Sequence, residues 1–496
     1  MPATFARARS RRVLVQEVRI AMRSETPTSI PGLAPDRPAA DGLAEDAAEP
    51  PRHIRVARRV LEYAFGPPAE WRFAVRFWDG TVDRPPGRVP EFTMVLRDPS
   101  SLRRMLLPPS ELRLGEAFVR GDFDVEGDLE RATALAEMFR ARVASLPQAL
   151  RLVRNLIRLP SERAAAVPAP RLGASRRLAM RHSRRRDAAA VRAHYDVGNE
   201  FYSLWLDRRM VYSCAYFENG AEDIHAAQEA KLDHICRKLR LRRGERLLDI
   251  GCGWGGLLRY AVARYGVRGV GVTLSAEQAA LARQRIQEDG LGTQCEILVQ
   301  DYRETQDDEA FDKVVSVGMF EHVGPTQVRR YFAKVFRILK PGGLFLNHGL
   351  VNRAQGNRST MRQRLGRLVW REGEFMDRYV FPDGELVTLD ETVRCAETAG
   401  FETRDGESLR EHYVLTLRHW VHRLEAAAAQ AQDLVGMETY RVWRLYMTAC
   451  AQSLATGRQG IVQLLLAKPD AGGRVNLPLT RRDLYGRRAF DEPNTN

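Results

Sequence analysis

Close-set cysteines are missing from this chain. The six present, Cys214, Cys236, Cys252, Cys295, Cys395 and Cys450, are scattered, with no two at the short gaps of a zinc site or a dithiol redox pair. That argues against a cysteine metal centre and suits a reducing compartment. Also missing is any apolar run near the ~18 residues that a membrane-spanning helix needs. The Arg-rich opening "MPATFARARSRRVLVQEVRIAMRS" has no apolar core followed by a small-residue cleavage site. It reads as a basic tail or an over-long start rather than a secretory signal. No internal repeat is visible. Acidic residues are in deficit: 63 Asp and Glu stand against 77 Lys and Arg, a net charge of +14. This balance favours anionic partners, whether nucleic acid, lipid headgroups or phosphate-bearing substrates, without choosing among them.

The 496 residues suggest two to three domains at roughly 150 residues each. Residues 1–52 are expected to be a disordered tail, because 24–52 are rich in Pro, Ala and acids and poor in large apolar residues. Residues 53–150 read as a small α+β N-terminal domain. "WRFAVRFWDGTV" and "EFTMVLRDP" alternate like strands, with Asp79-Gly80 at a turn; "SSLRRMLL" and "SELRLGEAFVRG" read as short helices. In "GDFDVEGDLE" the acids Asp122, Asp124, Glu126 and Asp128 fall at period two. Gly and Glu are misplaced for a calcium loop, so the stretch reads as a turn with solvated acids. "LERATALAEMFRARVASL" and "QALRLVRNLIRL" are helical. Residues 151–190 are expected to form a basic helical linker, and 171–192 hold eight arginines and one acid. That stretch reads either as a solvated connection or as a docking patch for anionic lipid.

From about residue 244 strands and helices alternate: "GERLLDIGCGWGGLLRYAVARYG", "VRGVGVTLS", "AEQAALARQRIQEDG", "CEILVQDY", "FDKVVSVGMF", the helix "TQVRRYFAKVFRILKPGG" stopped at Pro341-Gly342-Gly343, then "LFLNHGLV". Repeated βα units imply a parallel, doubly wound sheet, with ligands beyond the strand carboxyl ends. The first βα turn, "LDIGCGWGG", sets Asp249 before Gly251, Gly253 and Gly255. Glycines there let the backbone turn tightly and approach a ligand. With the "LKPGG" stop, this turn resembles the class I S-adenosylmethionine-dependent methyltransferase fold, a Rossmann-like α/β sheet. That resemblance implies that Asp249 organises the charged end of the cofactor. It also offers Trp254 and Tyr212 as aromatic supports. Thr273 stands where most enzymes of the fold carry an acid for the ribose hydroxyls.

The ordered segments "HYDVGNEFYSLWLD", "YSCAYF", "AKLDHICRKL", "LLDIGCGWGGL", "GVTLSAEQ", "DYRE", "VSVGMFEHVG", "LKPGGLF", "RYVFPDGEL", "HYVLTLRHW" and "RVWRLYMTACA" resemble the cyclopropane-fatty-acyl-phospholipid synthase family, which includes the mycolic acid cyclopropane synthases. The resemblance places a methyltransferase domain at 191–470 and a C-terminal tail at 471–496. It implies methyl transfer from S-adenosylmethionine to the cis double bond of an acyl chain, a carbocation, and deprotonation by a bound bicarbonate. It implies that Cys214 (chiefly through its backbone), Glu321, His348, the backbone of Leu350, and Tyr413 surround that anion. Gly349 and Leu350 depart from the family's usual threonine and isoleucine. Cofactor contacts carry over to Tyr212, Ser213, Asp249, Gly251, Gly253, Thr273, Leu274, Gln278, Asp301 and Tyr302. No metal is implied. The partners implied are an unsaturated phospholipid in an anionic membrane surface and a second copy of the chain. The place implied is the cytoplasmic side, peripheral at the inner membrane surface.

Each residue alone has an ordinary reading. Cys214 suits a small core position, His348 a backbone-satisfied core histidine, Tyr413 a buried aromatic, and His322 a structural role. Arg441, Trp443 and Tyr446 read as helix packing, or as the lining of an acyl channel. Two other products or roles stay open: a mid-chain methyl or methylene branch, and a lipid-binding protein without catalysis. A nucleic-acid methyltransferase is disfavoured, because the Asn/Asp-Pro-Pro-aromatic signature of amino-methylating enzymes is replaced by "GMFEHVG".

Overall fold

The computed structural model describes residues 51–108, 110–143, 146–162, 184–195, 197–305, 308–353, 373–382, 384–475 and 477–485. The tail expectation for 1–50, the basic stretch 163–183 and the last residues, 486–496, lie outside these. Among the described residues no helix is long and apolar enough to cross a membrane.

The alternating stretches near the start become a four-stranded sheet in the order β2-β1-β3-β4, from β1 (Phe73–Arg76), β2 (Val82–Asp83), β3 (Phe92–Leu96) and β4 (Phe123–Gly127). The turn between β1 and β2 forms because Asp79 accepts the Thr81 N–H at 3.0 Å and Gly80 takes a φ of +89°. β3 buries Phe92, Met94 and Leu96 on one face. The helices Arg52–Phe65, Leu129–Val143 and Leu146–Leu156 share a core with it, through Ile54, Leu61, Leu135, Phe139, Leu152 and Leu156. Each such side chain contributes about 1.5–3 kcal/mol on burial, so the helices supply most of what holds so small a sheet. Residues 151–159, expected in the linker, belong to this core: Leu152, Leu156 and Leu159 are buried in it.

One expectation holds only in part. Within "GDFDVEGDLE" the stretch Phe123–Gly127 is the edge strand β4, paired antiparallel with β3, and of the four acids only Glu126 and Asp128 are exposed. Asp122 is buried and accepts from Arg104 at 2.8 Å and Arg120 at 2.8 Å. Asp124 accepts from Arg441 at 3.1 Å. Acids at period two fit a strand as well as a turn; of the arginines that neutralise them, Arg120 is two residues from Asp122, while Arg104 and Arg441 come from further along the chain. Arg441 also donates to the carbonyls of Phe118 and Phe123 at 2.8 and 3.2 Å. It therefore fastens the N-terminal sheet to the rest of the protein, and does not line a channel.

The second sheet has seven strands in the order β10-β11-β9-β8-β5-β6-β7. They are β5 (Arg246–Ile250), β6 (Arg268–Thr273), β7 (Cys295–Val299), β8 (Phe311–Val317), β9 (Leu339–Asn352), β10 (Glu402–Ser408) and β11 (Gln459–Ala467). β7, β6, β5, β8 and β9 are parallel. β11 runs against both of its neighbours, β9 and β10. β5 has β6 on one side and β8 on the other, so the order reverses there and a crevice opens beyond the strand ends. The helix before β9 ends at Ile338 rather than at Pro341, and β9 begins with "LKPGG". Proline without an N–H is tolerated there because the β8 pairing slips between Phe311 and Lys313. Part of the expected tail is anchored: Leu484 is buried, Arg237 donates to its carbonyl at 2.8 Å, and Arg240 pairs with Asp483 at 2.8 Å.

Candidate active site

The crevice beyond β5 and β6 holds about 780 Å³ of space, part of it open to solvent. Of the residues expected at the cofactor, Gly251, Gly253, Thr273, Leu274, Gln278, Asp301 and Tyr302 line it. Gly251 has a φ of +81°, and a Cβ there would lie 2.8 Å from the Cβ of Met319. Only glycine lets the strand end and Met319 share this floor. The β6 end is held by a local chain of hydrogen bonds. Thr273 Oγ1 donates to Gln278 Oε1 at 3.1 Å and accepts the Ser275 N–H at 3.2 Å, while Ser275 caps the next helix. The hydroxyl that stands in for the usual acid is thus committed to the loop.

Asp249, Tyr212 and Ser213 are not among the lining residues. Asp249 is buried, and burial pushes its carboxyl up to about 7, with Lys231 opposing the shift. Lys231, itself buried, is pulled down to about 8 by the same cause, with Asp207 opposing. Its ammonium donates to Ser213 Oγ at 2.9 Å. Tyr212 turns into a cluster with Tyr202, Trp205, Trp420 and Trp443. Its hydroxyl bonds that of Tyr446 at 2.9 Å. Trp254 donates from Nε1 to Asn199 at 2.7 Å. The backbone at Tyr212 does stay close to the crevice: a Cβ on Gly318, which lines it, would be 3.9 Å from the Tyr212 carbonyl.

Sequence reasoning missed a helix that lines the crevice and its tie. The helix Arg184–Tyr195, whose start was expected in the linker, sets Asp187, Val191 and Tyr195 over the crevice. Arg303 joins it to the β7 end. Its Nη2 donates to Asp187 at 2.8 Å and its Nε to Asp301 at 2.8 Å. Asp301, expected at the adenine end, is therefore engaged by an arginine two residues on. "DYRE" held the signal, but the partner Asp187 is 116 residues away.

The second group of expected residues converges at the ends of β8 and β9. The Gly318 N–H bonds the His348 carbonyl at 2.9 Å, and the turn Phe320–His322 then presents Glu321. Glu321 Oε1 accepts the Leu350 N–H at 2.8 Å, so the backbone donor expected at the anion is given to this carboxylate. Gly349 has a physical reason: a Cβ there would meet Phe320 at 3.0 Å. The glycine lets the Glu321 turn lie against β9. Burial raises Glu321 above the usual carboxylate range and holds His348 well below the ordinary histidine value, with Lys231 and Lys238 adding to the effect. Glu321 Oε2 and His348 Nε2 are both buried without a partner.

Cys214 packs with Leu409 and Ile461, against Leu350 and Tyr413. Its thiol donates to the Ala215 and Leu409 carbonyls at 3.2 and 3.7 Å, and burial pushes it up, far from thiolate. Burial likewise raises Tyr413, next to the charge of Glu321. A residue that sequence reasoning missed completes the site. Gln463 of β11 lies opposite His348 in the β9 register and bonds its Nδ1 at 3.3 Å. His322, expected to be structural, lines the cofactor crevice beside Met319.

A glycine-floored crevice at the switch point, with one reversed strand at the far side of the sheet, defines a class I methyltransferase fold. A family model described as mycolic acid cyclopropane synthetase matches residues 182–464, and one for a domain of unknown function matches 60–142. The chain is 41% identical to a probable fatty acid methyltransferase of Pseudomonas putida over 83% of its own length and 95% of the relative's. It is 41% identical to the cyclopropane-fatty-acyl-phospholipid synthase of Escherichia coli K12 over 56% of the chain and 67% of that protein. Among solved structures, a cyclopropane synthase of Mycobacterium tuberculosis superposes with a TM-score of 0.52 at 33% identity, covering 57% of this chain and 98% of the other. A mycolic acid cyclopropane synthase complexed with SAH and CTAB gives the same values for TM-score and identity. The chain belongs to the mycolic acid cyclopropane synthetase family and is an S-adenosylmethionine-dependent methyltransferase.

Proposed function

We propose that the chain adds the methylene carbon of S-adenosylmethionine across the cis double bond of an unsaturated phospholipid acyl chain, closing a cyclopropane ring. The observation that carries this reading is that Glu321 Oε2 and His348 Nε2 are each buried without a partner, while Met319 and His322, close to Glu321 in the chain, line the cofactor crevice. A lipid-binding protein without catalysis has no use for two proton-transfer groups buried at such cost. An alkene is a weak nucleophile, so the protein's part is mainly to hold it in line with the sulfonium methyl. Tyr413 and the aromatic side chains around it offer ring faces to the carbocation. The charged end of the cofactor favours the ionised form of Asp249, which burial otherwise disfavours.

Bicarbonate suits this corner, held by Glu321, His348 and Tyr413 with Cys214 and Leu350 as its wall, and when bound it supplies a base that spares the protein's carboxylate from alkylation. Glu321, whose affinity for a proton is raised by burial, would be placed to hold a proton at Oε2 beside such an anion. His348, kept neutral, presents its unpartnered Nε2 without adding charge beside the cation. The chain works on bilayer lipid from the cytoplasmic side of the inner membrane, peripheral to it, and a homodimer is compatible with the assignment. A mid-chain methyl branch is the second reading. It is favoured by the fatty acid methyltransferase name of the relative that spans 83% of the chain. Incubation with methyl-labelled cofactor and unsaturated phospholipid vesicles tests both readings. A gain of one CH2 with loss of the alkene and a high-field ring proton signal supports the ring; a retained alkene or methylene signal supports the branch. No label on any unsaturated lipid refutes both.

A further inference from the structure

The helix Leu146–Leu156 buries Leu152 and Leu156 in the N-terminal core and turns its other side outward. There Leu150 is 61% exposed and Ile157 55%. Arg151, Arg154 and Arg158 are exposed between and beside them. The Ile157 N–H still bonds the Val153 carbonyl at 3.0 Å, so the helical turn runs through it. Positions i, i+1, i+4, i+7 and i+8 form one face of a helix. This face carries two large aliphatic side chains, three arginines and no acid. None of the three guanidinium groups pairs with an acid among the described residues. Glu162, which follows, reaches toward Arg104 instead.

We propose that this face docks the protein on a bilayer containing anionic phospholipid. Arginine heads bind lipid phosphates while the two aliphatic side chains enter the acyl boundary, as in interfacial helices. Nucleic acid would use the arginines but leave Leu150 and Ile157 in water. The inference rests on the lipid reading above and names where the membrane is met. Its test uses vesicles of fully saturated phosphatidylcholine with or without saturated phosphatidylglycerol, so no alkene is involved. The full chain should float with the anionic vesicles. Arg151→Glu/Arg154→Glu/Arg158→Glu should bind them about ten- to a hundred-fold more weakly, and Leu150→Ser/Ile157→Ser should also weaken binding. Both variants should keep methyl transfer to detergent-dispersed unsaturated lipid. Wild-type binding by the charge-reversed variant would overturn the proposal. So would loss of self-association in Leu150→Ser/Ile157→Ser with vesicle binding intact, because the face would then be a contact between chains. Absence of methyl transfer, by contrast, would count against the proposed function and leave vesicle binding unchanged.

A separate set of atoms carries a second inference. The Gln463 side-chain amide meets His348 Nδ1 at 3.3 Å, and its Oε1 and the His348 Nε2 are both buried without a partner; with Nε2 of the amide as the donor, the ring proton lies on His348 Nε2. We infer that Gln463 is a positioning residue that fixes the His348 tautomer. Nitrogen-15 NMR of His348 in the full chain without cofactor should show the Nε2–H form at neutral pH. Gln463→Leu should give a mixture and shift the pH profile of transfer, while Gln463→Glu, which favours a doubly protonated ring, should move the profile the other way. A wild-type Nδ1–H form, or an unchanged tautomer in Gln463→Leu, would overturn the assignment.

Discussion

Replacing Glu321 by glutamine separates the two candidate reactive groups of this site. Glu321 Oε1 accepts the Leu350 N–H at 2.8 Å, and a glutamine oxygen can keep that bond, so the turn stays against β9. What disappears is the group that takes a proton. Oε2, buried and unpartnered, becomes an amide with no acceptor, at a stability cost of about 1–3 kcal/mol. Loss of a positioned acid-base group lowers the rate roughly 10²–10⁴-fold, or about 3–5 kcal/mol at the transition state. The assay is initial-rate transfer of labelled methyl to unsaturated phospholipid, with cofactor affinity measured by calorimetry. The rate should fall while affinity holds. Cys214→Ser is the companion measurement. The thiol is held away from ionisation and donates only to carbonyls, roles that a hydroxyl fills, so most activity should remain. A folded Glu321→Gln enzyme within about threefold of wild type, or a folded but inactive Cys214→Ser, would refute the reasoning.

The buried carboxyl of Asp249 gives a pH dependence. Its folded value is about 7 against an ordinary value near ~3.9, so between those limits the folded chain keeps a proton that the unfolded chain has released. Stability therefore falls as pH rises from about 4 to 7. Asp249→Asn should flatten that part of a Tm-against-pH curve, and an unchanged slope would count against the burial argument. Gly251→Ala puts a methyl group 2.8 Å from the Met319 Cβ at a φ of +81°, and should weaken cofactor binding by about tenfold or more, read by calorimetry. Arg441→Met removes three donated bonds and leaves Asp124 without its arginine. Chemical denaturation should show a loss of about 3–5 kcal/mol, with hydrogen exchange rising first in β4.

Local pattern carried a good part of this protein. Strand-helix alternation and the Gly251 turn were legible because each depends on a few consecutive residues: buried runs such as "RLLDI" and glycines with positive φ. β4 misled, because a period of two in charge does not say whether a strand partner exists, and its arginines come from positions 104, 120 and 441. Seven of the ten residues expected at the cofactor meet at the crevice. The other three stand behind it or turn away, since Tyr212 finds a better apolar setting among tryptophans than at a half-open cleft.

The sequence alone therefore determined the chemistry on offer: an acid, a histidine, a tyrosine and a glycine turn, in an order that marks a methyltransferase. Only the tertiary structure decided which groups lack partners and which are already taken. β11 reverses and pairs with β9, and that register, not any nearby residue, sets Gln463 against His348 across 115 positions. In the same way Arg303 takes Asp301 and Asp187 together, and Gly349 makes room for Phe320. Burial and pairing are properties of neighbours in space, so the unpartnered atoms of Glu321 and His348 in the candidate site become visible only once the strands are in place.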